Sequence, residues 1–157
     1  MIAVSPGTPE ETTSDFPPHD LDAEGVVLSY ALERGPIAGL HPKHFYSEAN
    51  RRIYEAVQAL AERSEPFDVV AVARELRASQ RLRQVGGSPY LGMLVDRIPA
   101  TANVESHAEA IREAYRCRML SDAMLKLRVE LRNGTTRAGE AWLRCKAICD
   151  EMTTENE

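Results

Sequence analysis

Lysine, serine and threonine can together form a phosphate-binding loop, the feature that marks a nucleotide-hydrolysing core. Such a loop needs glycines that let the backbone approach the phosphates, then a lysine, then a serine or threonine that binds magnesium. The chain has three lysines, Lys43, Lys126 and Lys146, and none of them follows a glycine or precedes a hydroxyl residue. The sequence therefore excludes a nucleotide-hydrolysing core in this chain.

Cysteine and histidine could instead bind a metal ion. Cys145 and Cys149 lie one helical turn apart, and Cys117 or a histidine could join them. His41 and His44 form a second short pair, in a loop that contains a proline. Neither pair has the matching Cys or His pair that a structural zinc site requires. The sequence therefore favours reduced structural thiols, and we expect no metal site.

Catalytic motifs of other kinds are also missing from the sequence. No nucleophile sits in a recognisable elbow, and neither H-E-x-x-H nor H-x-E with paired cysteines occurs. We therefore expect no enzymatic activity and no cofactor for this chain alone.

The composition is that of an ordinary soluble globular protein. A chain of 157 residues fits one domain, or a compact head with one appended element. No apolar run approaches the roughly 20 residues that span a bilayer, and the N-terminus lacks the features of a secretory signal. Three cysteines in no framework spacing suit a reducing compartment. These features predict a cytoplasmic protein with no membrane partner.

Charge is distributed unevenly along the chain, whose net charge is -5. Acidic residues concentrate in 1–24 and 150–157, whereas basic residues outnumber acidic ones between 25 and 149. This positive charge is mild and spread out, unlike the concentrated patch of a typical nucleic-acid-binding protein.

Helical periodicity and capping residues predict an all-α fold. Asp20 can cap a helix over about 21–33, and Ser47 and Asp68 can cap the next two helices. After two consecutive glycines, we expect Ser88 to cap a fourth helix. No segment shows the alternation of apolar and polar residues that is typical of a strand.

The last two predicted helices are long and joined by a short turn. Asn103 can cap a helix of about 29 residues that ends at Asn133 and Gly134. We expect Thr135 or Thr136 to cap a final helix that runs almost to the C-terminus. Two long helices with such a short connection form an antiparallel hairpin.

The predicted elements divide the chain into four parts. These are a disordered arm at 1–16, a compact helical head at 17–113, the hairpin at 114–152 and an acidic tail at 153–157. The arm is expected to be disordered because it has few apolar residues with which to offset the entropy of ordering.

Short motifs along the head occur in the order found in a known family. They are Pro17-Pro18-His19, Leu21, Ala23-Glu24, Val27-Leu28, Phe45-Tyr46, Asn50-Arg51-Arg52-Ile53-Tyr54, Pro66-Phe67-Asp68, Val85-Gly86-Gly87, Tyr90-Leu91, Pro99, Thr101-Ala102-Asn103-Val104 and Ile111-Arg112-Glu113. Each motif alone is a cap, a turn or a few core positions, but their shared order over 17–113 is specific. The chain resembles the N-terminal domain of DnaB-type replicative DNA helicases, which are hexameric enzymes of bacteria and phages.

The resemblance implies a non-catalytic collar domain. In this family the hairpin pairs with a neighbour's hairpin, so that six copies build a trimer of dimers above the motor ring. The collar stabilises the hexamer and helps to dock primase and, in some organisms, a helicase loader. The family continues into a linker and a RecA-like ATPase, to which ATP and magnesium belong, and we expect no such motor in this chain.

The hairpin is the predicted surface for self-association into a dimer or hexamer. Two paired helices carry more apolar residues here than their mutual contact can cover. The predicted interface residues are Met119, Ala123, Met124, Leu127, Leu131, Trp142, Cys145, Ile148 and Cys149. The alternative is that these side chains pack only on one another and on the head.

The hairpin is also basic, and Arg128, Arg132 and Arg137 are candidate nucleic-acid contacts. Arginines on a solvated helix face are the more common case, and no aromatic residues alternate with them in the sequence. Two alternative functions stay open: a stand-alone regulator that assembles with or inhibits a complete helicase, and a small helical DNA-binding protein.

Overall fold

Six α-helices and one short 3-10 helix make up the computed structural model, which describes residues 17–66, 68–97 and 103–154. The helices are α1 (Leu21–Arg34), the 3-10 helix (Pro42–His44), α2 (Glu48–Glu62), α3 (Val69–Ala78), α4 (Gly87–Val95), α5 (Val104–Asn133) and α6 (Ala138–Thr154). These described residues contain no strand, so the prediction of an all-α fold is confirmed. The predicted arm at 1–16 lies outside the described residues, as do 155–157 of the predicted acidic tail and Phe67, Pro99 and Thr101-Ala102 of the head motifs.

Side-chain caps start the helices where the sequence placed them. The carboxylate of Asp20 accepts a hydrogen bond from the backbone N–H of Ala23, and that of Asp68 accepts one from Ala71, each at 2.8 Å. Asn103 caps α5 in the same way. These bonds satisfy N–H groups that have no partner inside the helix. The predicted starts of α1, α3 and α5 are therefore confirmed.

The predicted cap of α4 is wrong. Helix α4 begins at Gly87, so that Ser88 lies inside its first turn, and no side chain caps the helix. The residue before the helix is Gly86, whose φ of 95° lies in the left-handed region. Glycine adopts this conformation without strain, so the turn is formed by the backbone and needs no hydroxyl group.

The predicted cap of α6 is also wrong. The carbonyl oxygen of Arg137 accepts the first bond of the helix, from the N–H of Ala141 at 2.9 Å. Arg137 therefore occupies the capping position. The hydroxyl of Thr135 instead donates to the carbonyl oxygen of Glu130 at 3.1 Å, where α5 ends. Thr135 thus bonds to the end of one helix, and the Thr136 hydroxyl makes no hydrogen bond to any described residue, so neither predicted residue caps the next helix.

The core of the protein lies in the head, around α1. This helix packs against α2, α4 and α5, and α3 closes the far side against α2 and α4. The fully or almost fully buried side chains of the core include Val27, Leu28, Leu32, Ile53, Tyr54, Val57, Leu60, Val72, Leu76, Leu91, Leu94, Ala108 and Ile111. Burial of so many apolar side chains, at about 25 cal/mol per Å², is the main contribution to head stability.

The hairpin projects from this head. Helix α5 runs without a break from the head into the hairpin and is about 45 Å long at 1.5 Å per residue. Helix α6 packs on α5 and on no other described helix. A compact head followed by a long antiparallel hairpin was predicted, and the structure confirms it. In the described part of the chain, no helix combines the length and the apolar character that a membrane crossing needs.

Candidate interaction site on the helical hairpin

The head motifs form internal contacts, beginning with a buried carboxylate. Glu24 of α1 is 1% exposed, and its oxygens accept hydrogen bonds from the backbone N–H groups of Tyr46 and Ser47. They also accept one from the side-chain amide of Asn50 at 2.8 Å. The carbonyl oxygen of that amide in turn accepts a bond from the Tyr90 hydroxyl at 2.7 Å. Residues of four separate motifs are thereby joined inside the head.

Two further motif residues hold the loop between α1 and the 3-10 helix. The Tyr54 hydroxyl accepts a hydrogen bond from the N–H of Ile37 at 2.9 Å and donates to its carbonyl oxygen. Burial raises the pKa of Tyr54, and the bond with the Ile37 backbone partly opposes this rise. Arg112 of α5 donates to the carbonyl oxygens of Ala38 and Gly39. These motif residues therefore serve the internal structure of the head.

Apolar residues of α5 lie on two different faces. The first face, at intervals of three and four residues, carries Val104, Ala108, Ile111 and Tyr115, of which Ala108 and Ile111 are buried in the head. The second face begins farther along the helix and turns toward α6. There Leu127 is buried against α6, which contributes the buried Ala141. The hairpin seam therefore has a small apolar centre.

An open groove of about 500 Å³ runs along one side of this seam. Its apolar lining comes from both helices, with Met124, Leu127 and Leu131 on α5 and Ala138, Ala141, Trp142 and Cys145 on α6. The indole of Trp142 is 73% exposed, and Met124 and Leu131 are each nearly half exposed. An exposed apolar groove with a tryptophan at its edge has the composition of a protein interaction site.

The structure separates the predicted interface residues into three groups. Five of them line the groove: Met124, Leu127, Leu131, Trp142 and Cys145. Among these, Leu127 is almost fully covered by the hairpin itself. Met119 and Cys149 are exposed nearer the head, and Ala123 and Ile148 are half-buried between the helices. None of these last four lines the groove.

Three exposed apolar residues of the hairpin were missed. Leu125 and Val129 lie on the face of α5 that turns away from α6, and Leu143 lies on the outer face of α6. Leu125 and Val129 continue the stripe that the head covers nearer the start of α5. Their spacing of four residues was visible in the sequence. The head does not extend this far along α5, so no part of it covers Leu125 and Val129.

Two of the three candidate nucleic-acid contacts lie beside the groove. Arg128 and Arg132 form its outer edge on α5, and Arg137 lies in the turn before α6. Within the described part of the chain, the side chains of these three arginines make no hydrogen bond or ion pair. By contrast, Arg144 of α6 forms an ion pair with Glu130 of α5, which bridges the two helices, and a second with Glu140 one turn away on α6. The structure thus places one exposed aromatic side chain, Trp142, in the same groove as two unpaired arginines.

The cysteines and histidines have ordinary contacts. Among the described residues the three cysteines form no disulfide, and the sulfur of Cys145 lies 3.8 Å from that of Met124 across the hairpin. The His44 ring accepts a hydrogen bond from the backbone N–H of His41 at 3.1 Å. Among the described residues, no three His, Cys, Asp or Glu side chains are grouped so that they could hold a metal ion.

Comparison with known proteins places this architecture in a family. A family model described as the DnaB-like helicase N-terminal domain matches residues 16–113. The replicative DNA helicase DnaB of Geobacillus stearothermophilus is 39% identical over 104 residues, which cover 62% of this chain and 23% of that protein. The corresponding helicase of Mycobacterium leprae is 36% identical over 120 residues, covering 73% of this chain and 20% of that protein.

A solved structure extends the match to the hairpin. The crystal structure of the N-terminal domain of DnaB helicase from Mycobacterium tuberculosis superposes with a TM-score of 0.75 and 34% sequence identity. The superposition covers 87% of this chain and 99% of that one. Our chain spans less than a quarter of the length of the two helicases named above. This chain belongs to the family of DnaB-like helicase N-terminal domains.

Proposed function

We propose that this chain is a non-catalytic collar domain that organises a replicative helicase through contacts between hairpins. Copies of the chain pair through the groove face of the hairpin, and three such pairs form the collar of a hexamer. The exposed groove around Trp142 is the observation that carries this proposal. A pair formed by the same face of both copies is closed, and so does not grow into a filament.

The energetics support association through this face. A tryptophan side chain buries 150–250 Å², so covering the exposed part of Trp142 would contribute about 3 kcal/mol at 25 cal/mol per Å². Met124 and Leu131 add to this on the opposite wall of the groove. Tryptophan is also among the residues that most often dominate the binding energy of an interface.

The further roles in this proposal follow from membership of the family. The assembled collar provides a docking surface for primase or a helicase loader during DNA replication in the cytoplasm. We assign no cofactor, metal or enzymatic activity to this chain, because ATP and magnesium serve the motor domain of a helicase. The head motifs that were quoted from the sequence make internal contacts, so we assign no primase-binding residues among them.

The solution mass tests the proposal. We expect light scattering to show a dimer or a hexamer at high concentration, and Trp142→Glu to shift the chain to a monomer with an unchanged helical circular dichroism spectrum. Val70→Glu is the matched control, since Val70 is 69% exposed but lies in the head, and it should leave the mass unaltered. A monomeric wild type at all concentrations, or an unaltered mass for Trp142→Glu, contradicts the proposal.

The position of Leu127 decides which variant is informative. Leu127 is almost fully buried between α5 and α6. An aspartate there would place an unpaired charge inside the hairpin and separate its two helices. Loss of assembly in Leu127→Asp would therefore report a broken hairpin, whereas Trp142→Glu changes only a solvated side chain.

Single-stranded nucleic-acid binding is a second candidate function, favoured by the position of Trp142 beside Arg128 and Arg132. Arginines beside an exposed aromatic ring can hold the backbone and stack one base. Fluorescence anisotropy with a labelled oligonucleotide should then show binding that weakens steeply as salt rises. Replacing both arginines by alanine should abolish it. Equal affinity for wild type and variant removes this candidate.

A further inference from the structure

The hairpin is attached to the head through a single helix. Helix α6 packs only on α5 among the described helices, so α5 alone joins the hairpin to the head. The last α5 residue buried in the head core is Ile111. Beyond Ile111 the helix continues to Asn133, so the hairpin extends away from the head. The part of α5 that leaves the head is called the root of the hairpin.

Arg118 lies at the root of the hairpin. It lies seven residues after Ile111, and therefore on the same face of α5. Its guanidinium donates one hydrogen bond of 2.7 Å to the carbonyl oxygen of Pro18 and another of 2.7 Å to that of His44. These carbonyls belong to the segment before α1 and to the end of the 3-10 helix, which are far from Arg118 in sequence. One side chain thus ties three separate parts of the chain together.

Aromatic rings surround the same guanidinium. Its central carbon lies 5.5 Å from the ring centre of Tyr46 and 5.8 Å from that of Tyr115, within the range of cation–π attraction. The imidazole of His19 stacks on the Tyr46 ring, with 4.5 Å between the two ring centres. Burial lowers the pKa of Arg118, an effect that the nearby Glu24 carboxylate opposes.

The contacts of Arg118 lead directly into the rigid core. The backbone N–H groups of Tyr46 and Ser47 are held by the buried carboxylate of Glu24 on α1. The loop that contacts Arg118 is therefore fixed to the head by the Glu24 carboxylate. A planar guanidinium with five donors can bridge two carbonyls and stack on rings at once, which a lysine ammonium cannot do.

We propose that Arg118 is the positioning residue that fixes the angle of the hairpin against the head, through the carbonyls of Pro18 and His44. The inference rests on the proposed function only for its consequence, namely that this angle sets the geometry in which two hairpins meet. Without Arg118, the core contacts of Ala108 and Ile111 keep the head folded, but α5 loses the two hydrogen bonds that tie it to the segment before α1 and to the 3-10 helix, and its angle is less restrained.

Distances between two spin labels measure this angle directly. One label is attached at Gln84 in the head and the other at Asn133 at the hairpin tip, after substitution of both by cysteine and of the native cysteines by serine. Dilution with unlabelled chain removes distances between copies. Because α5 extends about 22 Å beyond Arg118, a tilt of about 15° moves the tip by about 6 Å, which pulsed electron paramagnetic resonance resolves.

We expect a narrow distance distribution for the intact root and a broad or shifted one for Arg118→Ala. Arg118→Lys keeps the charge but loses the planar guanidinium that bonds to two carbonyl oxygens at once. Its distance distribution should be intermediate in width. Ile53→Val is the control for stability, because it removes one buried methyl group from the head core and leaves the root intact. It should lower Tm without broadening the distribution.

Superimposable distributions for wild type, Arg118→Ala and Arg118→Lys would overturn the inference. If circular dichroism shows that Arg118→Ala does not fold, the comparison of Arg118→Lys with wild type decides alone. Light scattering on the same samples keeps the two proposals distinct. A monomeric wild type contradicts the assembly proposal. The spin-label distances test the role of Arg118 in a monomer as well as in an oligomer.

Discussion

Glu24 illustrates how a single side chain can determine the geometry of several helices. Its carboxylate lies before the first turn of α2, where unpaired N–H groups and the helix dipole both favour a negative charge. The side-chain amide of Asn50 adds a third donor from inside α2. A buried carboxylate is costly without such partners, and here each of its oxygens is bonded.

Replacing Glu24 by glutamine should therefore destabilise the head. The amide has one acceptor oxygen in place of two, so at least one buried donor loses its partner, at a cost of about 1–3 kcal/mol. Urea unfolding followed by circular dichroism measures the free energy of unfolding. Glu33→Gln, at an exposed position of the same helix, is the control and should have almost no effect. Equal stability of the two variants would show that the network contributes little.

Glu109 offers a test of charge at the root of α5. Its carboxylate bonds to Arg116 and Arg112, and these bonds hold the pKa of Glu109 below its usual range. A carboxyl whose pKa is lower in the folded state stabilises the protein above the ordinary carboxyl pKa. This contribution disappears as the pH falls through the lowered value. The arginines remain charged throughout.

We expect Glu109→Gln to be less stable than wild type at neutral pH and equally stable once the pH falls below the lowered pKa. The difference should be modest, below about 1 kcal/mol, because the carboxylate is half exposed. Thermal unfolding at a series of pH values measures it. Glu62→Gln, on the exposed end of α2, should match wild type at every pH. A gap for Glu109→Gln that persists in acid contradicts the ion-pair explanation.

At the scale of the element, α4 depends on the turn that starts it. Gly86 has a φ of 95°, and a Cβ atom there would lie 2.9 Å from the Cβ of Tyr90. The glycine allows Tyr90 to approach the turn while its hydroxyl reaches Asn50. Gly92, in the exposed middle of the same helix, has no atom near its missing side chain. Gly86, just before α4, and Gly92, inside it, are therefore expected to respond differently to substitution.

Alanine at these two positions should change stability in opposite directions. Gly86→Ala combines left-handed backbone strain with a clash against Tyr90, and should destabilise the protein by more than about 1 kcal/mol. Gly92→Ala removes helix-interior glycine and should stabilise it by about 0.5–1 kcal/mol. Denaturant titrations of both variants provide the measurement. A stabilising Gly86→Ala would mean that the turn does not require its left-handed conformation.

At the scale of the whole molecule, stability and interaction are located in different places. The head has a large core, whereas among the described side chains of the hairpin seam only Leu127 and Ala141 are buried. Apolar side chains that the hairpin cannot cover remain on its groove face, together with the single tryptophan of the chain. Contact with another copy would supply the cover that the seam lacks. The head provides the fixed base from which the hairpin is presented.

The single tryptophan should report this association. Trp142 is mostly exposed in one copy, so we expect its fluorescence emission to shift to shorter wavelength, and its quenching by acrylamide to weaken, as protein concentration rises. Leu131→Asp, which places a charge in the same groove, should keep the emission of an exposed indole at every concentration. An emission maximum that does not depend on concentration in the wild type would contradict pairing through the groove.

Local signals in the sequence were sufficient for the order and most ends of the helices. The caps at Asp20, Ser47 and Asp68 each bond to an N–H three residues later, so their effect is decided within one turn of the chain. The same reasoning failed at Ser88 and Thr135. There the backbone of a glycine turn and the end of a preceding helix determined the geometry, and both depend on how adjacent elements are connected.

By itself the sequence determined the all-α fold, the long hairpin and the family, because helical periodicity, caps and ordered motifs are properties of short segments. Only the tertiary structure decided which apolar residues of α5 remain exposed, since Leu125 and Leu127 look alike in the sequence but differ in burial. It also decided the role of Arg118, whose partners are distant in sequence. Burial and long-range hydrogen bonds depend on which segments meet in space, and no local pattern records that.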